Sequence, residues 1–312
     1  MTFHFAFMAR RRLFMGFSAL LLLITIVSLS VQGLNFGIDF KGGVVMQITT
    51  PQPTTIADVR DVLAAQPFNL GNAQIQELNN DPTQYQFQTT PISDNEADQI
   101  FVALQQKFGA ATVKDQQSTV LPVIGQELRT KALLAILIAT VLMTSYLALR
   151  FQVGDAGAYS GLKFALGAVI ALLHDITLTV GLFSVFRLQV NSPFVAAVLT
   201  VYGYSMNDTI IVFDRIRERL RMHPGESLRE LIDVSLNQVL NRTITTVATV
   251  ILALLAVILL AGPGDMRALG VALLVGVGFG TYSSVFIAAP IFLWLAGRGT
   301  PAGARAVRPA RA

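Results

Sequence analysis

Three charged residues lie inside stretches of this 312-residue chain that are otherwise apolar enough for a lipid bilayer. Asp208 interrupts "VYGYSMNDTIIVFDRIRERLR", Asp175 lies in "AVIALLHDITLTVGLF", and Arg242 lies in "NRTITTVATV". A charge near the centre of a bilayer costs about 2.5–3.5 kcal/mol on insertion scales, so it normally faces a protein interior or a water-filled path. Carboxylates in such places indicate the transfer of protons or other cations across a membrane.

Asp208 and Arg242 are predicted to pair. Helical spacing puts Ser205 and Thr209 on the same face as Asp208. It also aligns a polar stripe on the next apolar segment: Arg242, Thr245, Thr246 and Thr249. Pairing favours the charged carboxylate, whereas loss of water favours the neutral form, so this acid could load and release a proton. We therefore predict a relay of Asp208, Arg242 and Asp175, with a static ion pair that fixes helix packing as the alternative.

Two more polar residues, Asn207 and His174, are predicted to support the relay. His174 is adjacent to Asp175, so on a helix their side chains point about 100° apart and should not line one path. We expect His174 to be packed and hydrogen-bonded. Asp208 should lie roughly 7 Å from the inner end of its span, and Asp175 about 20 Å from the inner end of its own span. We therefore expect the two acids at different depths in the membrane.

The apolar sequence that surrounds these residues is organised in six long segments. Hydrophobic residues make up 53% of the chain and charged residues 13%, about half the charged fraction of an average soluble domain. About 20 residues suffice for a helix to cross a bilayer. The predicted spans are Leu13–Val31, Ala132–Leu149, Leu162–Val185, Pro193–Phe213, Thr243–Ala261 and Ala268–Ala289. The small residues of "GVGFGTYSS" in the last span are expected to mediate close helix packing.

The distribution of basic residues predicts that both termini are cytoplasmic. Fifteen of the 23 lysines and arginines fall in segments that would then lie inside, and short inner loops normally carry this excess. The predicted regions are 1–35 (N-terminus and first span), 36–128 (extracytoplasmic domain), 129–297 (five spans) and 298–312 (cytoplasmic basic tail). Within the third region, 214–241 is predicted as a cytoplasmic loop too long for a short hairpin, with an amphipathic helix at the inner surface.

The segment between the first two spans has the pattern of a small α+β domain. Strands are predicted in "GGVVMQITT", "NAQIQELN", "QYQFQTT" and "ATVKDQQSTV". Helices are predicted in "TTIADVRDVLAA", capped by Thr54 or Thr55, and in "SDNEADQIFVALQQKFG". The order β-α-β-β-α-β is that of a ferredoxin-like domain.

The sequence shows no pattern typical of an enzyme. It contains no cysteine, and no nucleophile–base set, metal-binding cluster or phosphate-binding loop is visible. We expect no catalytic activity, no cofactor, no metal and no nucleic-acid partner.

Several long motifs occur in the order found in one family of membrane proteins. They are "FGIDFKGG", "VGDAGAYSGLKFALGAVIALLHDITLTVGLF", "YGYSMNDTIIVFDRIRERL", "NRTITT" and "GTYSSVFIAAPIFLW". With these motifs the chain resembles the SecD/SecF family of protein-export membrane proteins, which belongs to the resistance-nodulation-division (RND) superfamily of transporters. The resemblance covers nearly the whole chain before the tail.

The resemblance implies an α-helical polytopic protein of the cytoplasmic membrane, with six transmembrane helices that form half of an RND-type fold. It implies that the chain works with SecD beside the SecYEG translocon and uses the proton-motive force to assist translocating preproteins. In this family's pattern, Asp208 and Arg242 match the functional acid and arginine, and Asp175 lies in an "HD" motif. A gating role for the outer domain is also predicted.

Two other functions stay open. One is an RND-type, proton-coupled exporter of small molecules or lipids, although such exporters usually carry twelve spans and two large outer domains in one chain. The other is a passive assembly subunit, in which the intramembrane charges only hold helices together.

Overall fold

The computed structural model describes residues 5–78, 81–152, 161–223, 225–261 and 264–297. The predicted basic tail, residues 298–312, lies outside this part of the chain. Within the described residues, six helical segments are long and apolar enough to cross a membrane. They correspond to the six predicted spans, and the first is α1 (Arg11–Gln32).

A short glycine-rich joint leads from α1 into the outer domain. It consists of β1 (Asn35–Phe36) and α2 (Ile38–Lys41), and β1 pairs in parallel with β6 (Gln189–Val190) from between two later spans. Gly43, two residues after the joint, has a φ of 142°, and a Cβ there would lie 2.3 Å from the Thr89 carbonyl oxygen. Only glycine fits this position, which explains the end of "FGIDFKGG".

The outer domain has the predicted order of elements. They are β2 (Gly43–Thr49), α3 (Ile56–Ala64), β3 (Gln74–Glu77), β4 (Gln84–Thr89), α4 (Asp94–Phe108) and β5 (Val113–Val120). The strands lie in the order β3-β4-β2-β5, and every neighbouring pair is antiparallel. The assignment of this domain to the ferredoxin-like class stays a prediction.

Alternation along the strands separates the two faces of this sheet. One face packs against α3 and α4 through fully buried side chains, including Met46, Ile48, Tyr85 and Phe87. Both helices begin with a capping box, Thr55 with Asp58 and Ser93 with Glu96, as the sequence signals suggest. The opposite face is polar.

The other spans follow the outer domain. They are α5 (Pro122–Gln152), α6 (Gly161–Val185), α7 (Ser192–Met222), α8 (Leu228–Leu260) and α9 (Asp265–Ser283), which continues through a π-helical segment (Ser284–Ala288) into α10 (Ala289–Gly297). About half of α6, of α7 and of the α9–α10 span is buried, whereas α1, α5 and α8 are mostly exposed. α6, α7 and α9 therefore form the inside of the bundle.

Small residues let α7 and α9 approach closely, as predicted for "GVGFGTYSS". A Cβ on Gly276 would lie 2.2 Å from Cγ2 of Val201, and a Cβ on Gly280 would lie 2.9 Å from Cβ of Ser205. This close contact brings the hydroxyl side chains of α9 against the face of α7 that carries Asp208.

The structure corrects the prediction for residues 214–241. There α7 runs on to Met222 and α8 begins at Leu228, so most of this segment is helical, and its cytoplasmic location stays a prediction. The predicted separate surface helix is the first part of α8. Charged residues at these helix ends form ion pairs, such as Arg150–Asp214 at 2.7 Å. The helices therefore continue past their apolar segments with charged ends.

Candidate functional site

Asp175 lies in the middle of the bundle and has no solvent exposure. Its Oδ2 atom accepts hydrogen bonds from the hydroxyls of Ser205 on α7 and Ser283 on α9, both at 2.7 Å. Its Oδ1 atom is 2.9 Å from Nδ1 of His174. Three helices thus supply partners for one carboxylate, and no arginine or lysine among the described residues pairs with it.

His174 is packed and hydrogen-bonded, as predicted, but it is not separated from Asp175. The expected divergence of the two side chains is wrong, because they bend toward each other from adjacent backbone positions. The imidazole stacks on the ring of Tyr282, with an angle of 24° between the ring planes and 6.2 Å between the centroids. Its Nε2 atom is buried and has no hydrogen-bond partner among the described residues.

Asp208 is also buried, with 2% of its surface exposed. Its Oδ2 atom accepts a hydrogen bond from Thr281 of α9 at 3.3 Å. Next to it on α7, Thr209 forms a 2.9 Å hydroxyl–hydroxyl hydrogen bond with Ser284. Each of the two intramembrane acids therefore accepts a hydrogen bond from a hydroxyl group of α9.

The two acids lie closer in depth than the sequence indicates. Ser205, which donates to Asp175, precedes Asp208 by three residues on α7, a rise of about 4.5 Å. A difference in depth remains, but it is smaller than expected, because the expectation took the inner ends of the helices from the ends of the apolar segments. The two acids and their hydroxyl partners instead form one polar cluster within the bundle.

Arg242 and the threonines aligned with it lie on an exposed face of α8. Arg242 is close enough to act electrostatically on Asp208. Among the described residues, however, the two side chains do not form an ion pair within 4.0 Å. The direct pair predicted from the sequence is therefore not formed, because Asp208 faces α9 while Arg242 faces outward. Asn207 is likewise exposed on α7. The hydroxyls of the stripe bond to carbonyls of their own helix, such as Thr245 to Asn241 at 2.9 Å.

Sequence reasoning missed three hydroxyl residues on the last span: Thr281, Ser283 and Ser284. They were assigned only to packing, although a run of hydroxyls in an apolar span is itself a signal. The π-helical segment begins directly after Ser283. Pro290 cannot donate to the carbonyl of Phe286, so a regular α-helical bond is missing here. Such π-helical turns often occur at functional sites.

The cluster has the features of a protonation site inside a membrane. A carboxylate that receives hydroxyl hydrogen bonds can exist charged, and when neutral it can itself donate to the same oxygens. Hydroxyls can reverse their roles as donor and acceptor, so they can accommodate both states.

Two family descriptions match the chain. "Protein export membrane protein SecD/SecF, C-terminal" matches residues 100–298, which is more than half of the chain. "SecD/SecF GG Motif" matches residues 27–53, which contain the joint after α1.

Named relatives and solved structures agree with these matches. The chain is 40% identical over 296 residues to the protein translocase subunit SecF of Magnetococcus marinus, covering 93% of this chain and 91% of the relative. It is 39% identical to that of Gemmatimonas aurantiaca, covering 90% and 84%.

The crystal structure of SecDF, a translocon-associated membrane protein from Thermus thermophilus, matches with a TM-score of 0.82 and 28% identity. The match covers 95% of this chain and 39% of that one. A super-membrane-facing form of SecDF matches with a TM-score of 0.70 and 29% identity, covering 96% and 39%. The resemblance expected from the motifs is confirmed: the chain belongs to the SecD/SecF family of protein-export membrane proteins and is a multi-pass membrane protein.

Proposed function

We propose that the chain is one half of a two-part membrane unit that uses proton movement to assist preprotein export through the Sec pathway. SecD would supply the other half, and the SecYEG translocon would deliver the preprotein. The unit would lie in the cytoplasmic membrane with both termini inside. The observation that carries this proposal is the burial of Asp175 and Asp208 among hydroxyl groups at membrane depth.

Burying these acids costs free energy, and helix packing alone does not require acids at these positions. A charged residue near the bilayer centre costs about 2.5–3.5 kcal/mol on insertion scales. Apolar residues of similar volume would often hold helices together as well or better than buried charges. Two acids that keep hydroxyl partners instead of a close cation therefore favour a change of protonation over a static role.

The exposed polar stripe supports a membrane-embedded partner. Arg242 belongs to an apolar span, yet its side chain is exposed in the chain alone. Lipid would be a poor environment for this charge. A second helical unit packed on α7 and α8 would cover Arg242 and Asn207 and enclose the polar cluster. SecD fits this requirement. The SecDF chain that matches this one is more than twice as long, so it contains room for a second unit of similar size.

The membrane field can drive such a unit. Moving one elementary charge across 100 mV is worth about 2.3 kcal/mol, enough to shift a two-state equilibrium nearly fiftyfold. Protonation of Asp208 would remove its attraction to Arg242. The loss of this attraction would change the balance between two arrangements of the helices, which would carry the change to the outer domain.

An Asp208→Asn variant in the complex with SecD tests the proposal. We expect export in membrane vesicles to lose its stimulation by a proton gradient while ATP-driven export continues. Glu218→Gln, an exposed acid on the same helix, is the matched control and should keep the stimulation. Full stimulation in the Asp208→Asn variant would favour the passive assembly role. If only a sodium gradient stimulates export by the unchanged complex, the coupling ion is sodium and not the proton.

Isolation of the chain from native membranes tests the choice of partner. SecD and translocon subunits should copurify in mild detergent. Copurification of neither would favour the small-molecule or lipid exporter.

A further inference from the structure

The polar face of the outer-domain sheet carries two rows of four side chains each, and six of these eight residues are glutamines. Cross-strand pairing aligns one glutamine from each strand in a single row: Gln76, Gln86, Gln47 and Gln116. The next row on the same face consists of Gln74, Gln88, Val45 and Ser118. Because α3 and α4 cover the opposite face, these rows point away from the core of the domain.

This face forms one wall of a cleft above the membrane helices. The cleft has a volume of about 550 Å³, and its other wall comes from the joint, β6 and the outer ends of α7, α8 and α9. A second recess of about 450 Å³ shares Gln88 and Gln189 with it. Gln189 holds the two walls together, since its amide bonds with Gln88 and donates to Gln74 at 3.3 Å.

The charge of the cleft is negative. Asp39 and Asp265 line it, and none of the described residues that line it is a lysine or arginine. Asp39 accepts a hydrogen bond from the backbone of Ser192 at 2.7 Å, and Asp265 accepts one from Asn191. These bonds fix the carboxylates at the outer end of α7 and leave a neutral amide surface opposite them.

We propose that this cleft binds an extended segment of polypeptide, which, on the function proposed above, is the preprotein as it emerges on the outer side. Each glutamine side chain offers both a donor and an acceptor, the same two groups that every peptide unit presents. A row of amides can therefore bind backbone with little regard to sequence. The two carboxylates disfavour acidic segments and lipid phosphate and favour neutral or basic segments.

Photocrosslinking in the assembled complex tests the cleft. A photoreactive phenylalanine analogue would replace Gln116, an exposed member of the first row, and separately Gln99, an exposed glutamine on α4. With a preprotein arrested during export, we expect crosslinks from position 116 at least fivefold above those from position 99. Equal yields, or none from position 116, would overturn the proposal.

A second variant measures the contribution of the amides. With the probe at position 116, Gln86→Leu should lower the yield about fivefold, a change comparable to one hydrogen bond, while Gln99→Leu should leave it unchanged. Crosslinks that favour arrested segments rich in Asp and Glu would also contradict the proposal. If position 116 crosslinks only to lipid, the cleft binds lipid and the proposal is wrong.

The result separates this inference from the proposed function. If position 116 gives no crosslink but Asp208→Asn still abolishes stimulation by the proton gradient, only the cleft is wrong. If position 116 crosslinks while Asp208→Asn has no effect, the cleft stands and the proton-coupled function is wrong.

Discussion

Individual hydroxyl groups determine how this bundle accommodates its acids. Asp175 is satisfied by two serines from neighbouring helices and by the adjacent imidazole, and it has no arginine or lysine partner in the described part of the chain. A serine hydroxyl is small enough to fit where α7 and α9 pack closely. The same contacts that stabilise the acid therefore also fix the positions of three helices.

Ser283→Ala is expected to destabilise the chain by about 1–3 kcal/mol, because it removes a donor from a fully buried carboxylate. Thr200→Ala is the control, since Thr200 is exposed and bonds only to a carbonyl of its own helix. Unfolding of the purified chain in mixed micelles measures both. An equal loss in the two variants would show that the serine hydroxyl does not support Asp175.

At the level of helices, glycines decide how closely α7 and α9 pack. Gly276→Ala is expected to cost about 1–3 kcal/mol because its Cβ would clash with Val201. Gly278→Ala, two residues away with open space at its Cβ, should be neutral or slightly stabilising. The same unfolding measurement compares them, and a harmless Gly276→Ala would mean that α9 can move away without loss.

The outer domain offers a test of a helix cap and its pH dependence. Backbone and hydroxyl hydrogen bonds from Ser93 lower the pKa of Glu96 below its ordinary value of 4.5. This stabilisation is therefore present above pH 4.5 and lost as the pH falls below that value. Ser93→Ala should lower the protection of α4 amides from hydrogen exchange by about 1 kcal/mol at pH 7.

Ser93→Thr is the control for this cap and should retain the protection, because threonine can also form a capping box. The difference between Ser93→Ala and the unchanged chain should shrink as the pH falls through 4.5. A difference that is the same at pH 7 and pH 4 would show that Glu96 does not take part.

The elements of the outer domain and the six spans could be predicted from the sequence because local signals specify them. Capping residues, strand alternation and apolar length act within a few residues of each other. The partners of the acids could not be predicted in this way. Ser283 reaches Asp175 from 108 positions away, and only the packing of α9 on α6 and α7 brings them together. The exposed direction of Arg242 likewise depends on how α8 rotates in the bundle.

On the function proposed above, the molecule as a whole is one half of a membrane unit, with the outer domain at one end of its helices. The proposed orientation places that domain outside the cytoplasm. The chain has no cysteine, so a single introduced cysteine can be labelled without background. In intact spheroplasts, Gln99→Cys should react with a membrane-impermeant maleimide, whereas Glu218→Cys should react only after permeabilisation. The reverse pattern would invert the proposed topology.

Proton flux through the assembled unit tests most directly whether Asp208 changes its protonation during export. Proteoliposomes would contain the complex with SecD, the translocon and an arrested preprotein, and a pH-sensitive dye would report the flux. We predict a flux in the unchanged complex that falls at least tenfold in Asp208→Asn and in Arg242→Leu but not in Glu218→Gln. An undiminished flux in Asp208→Asn would contradict the proposed mechanism.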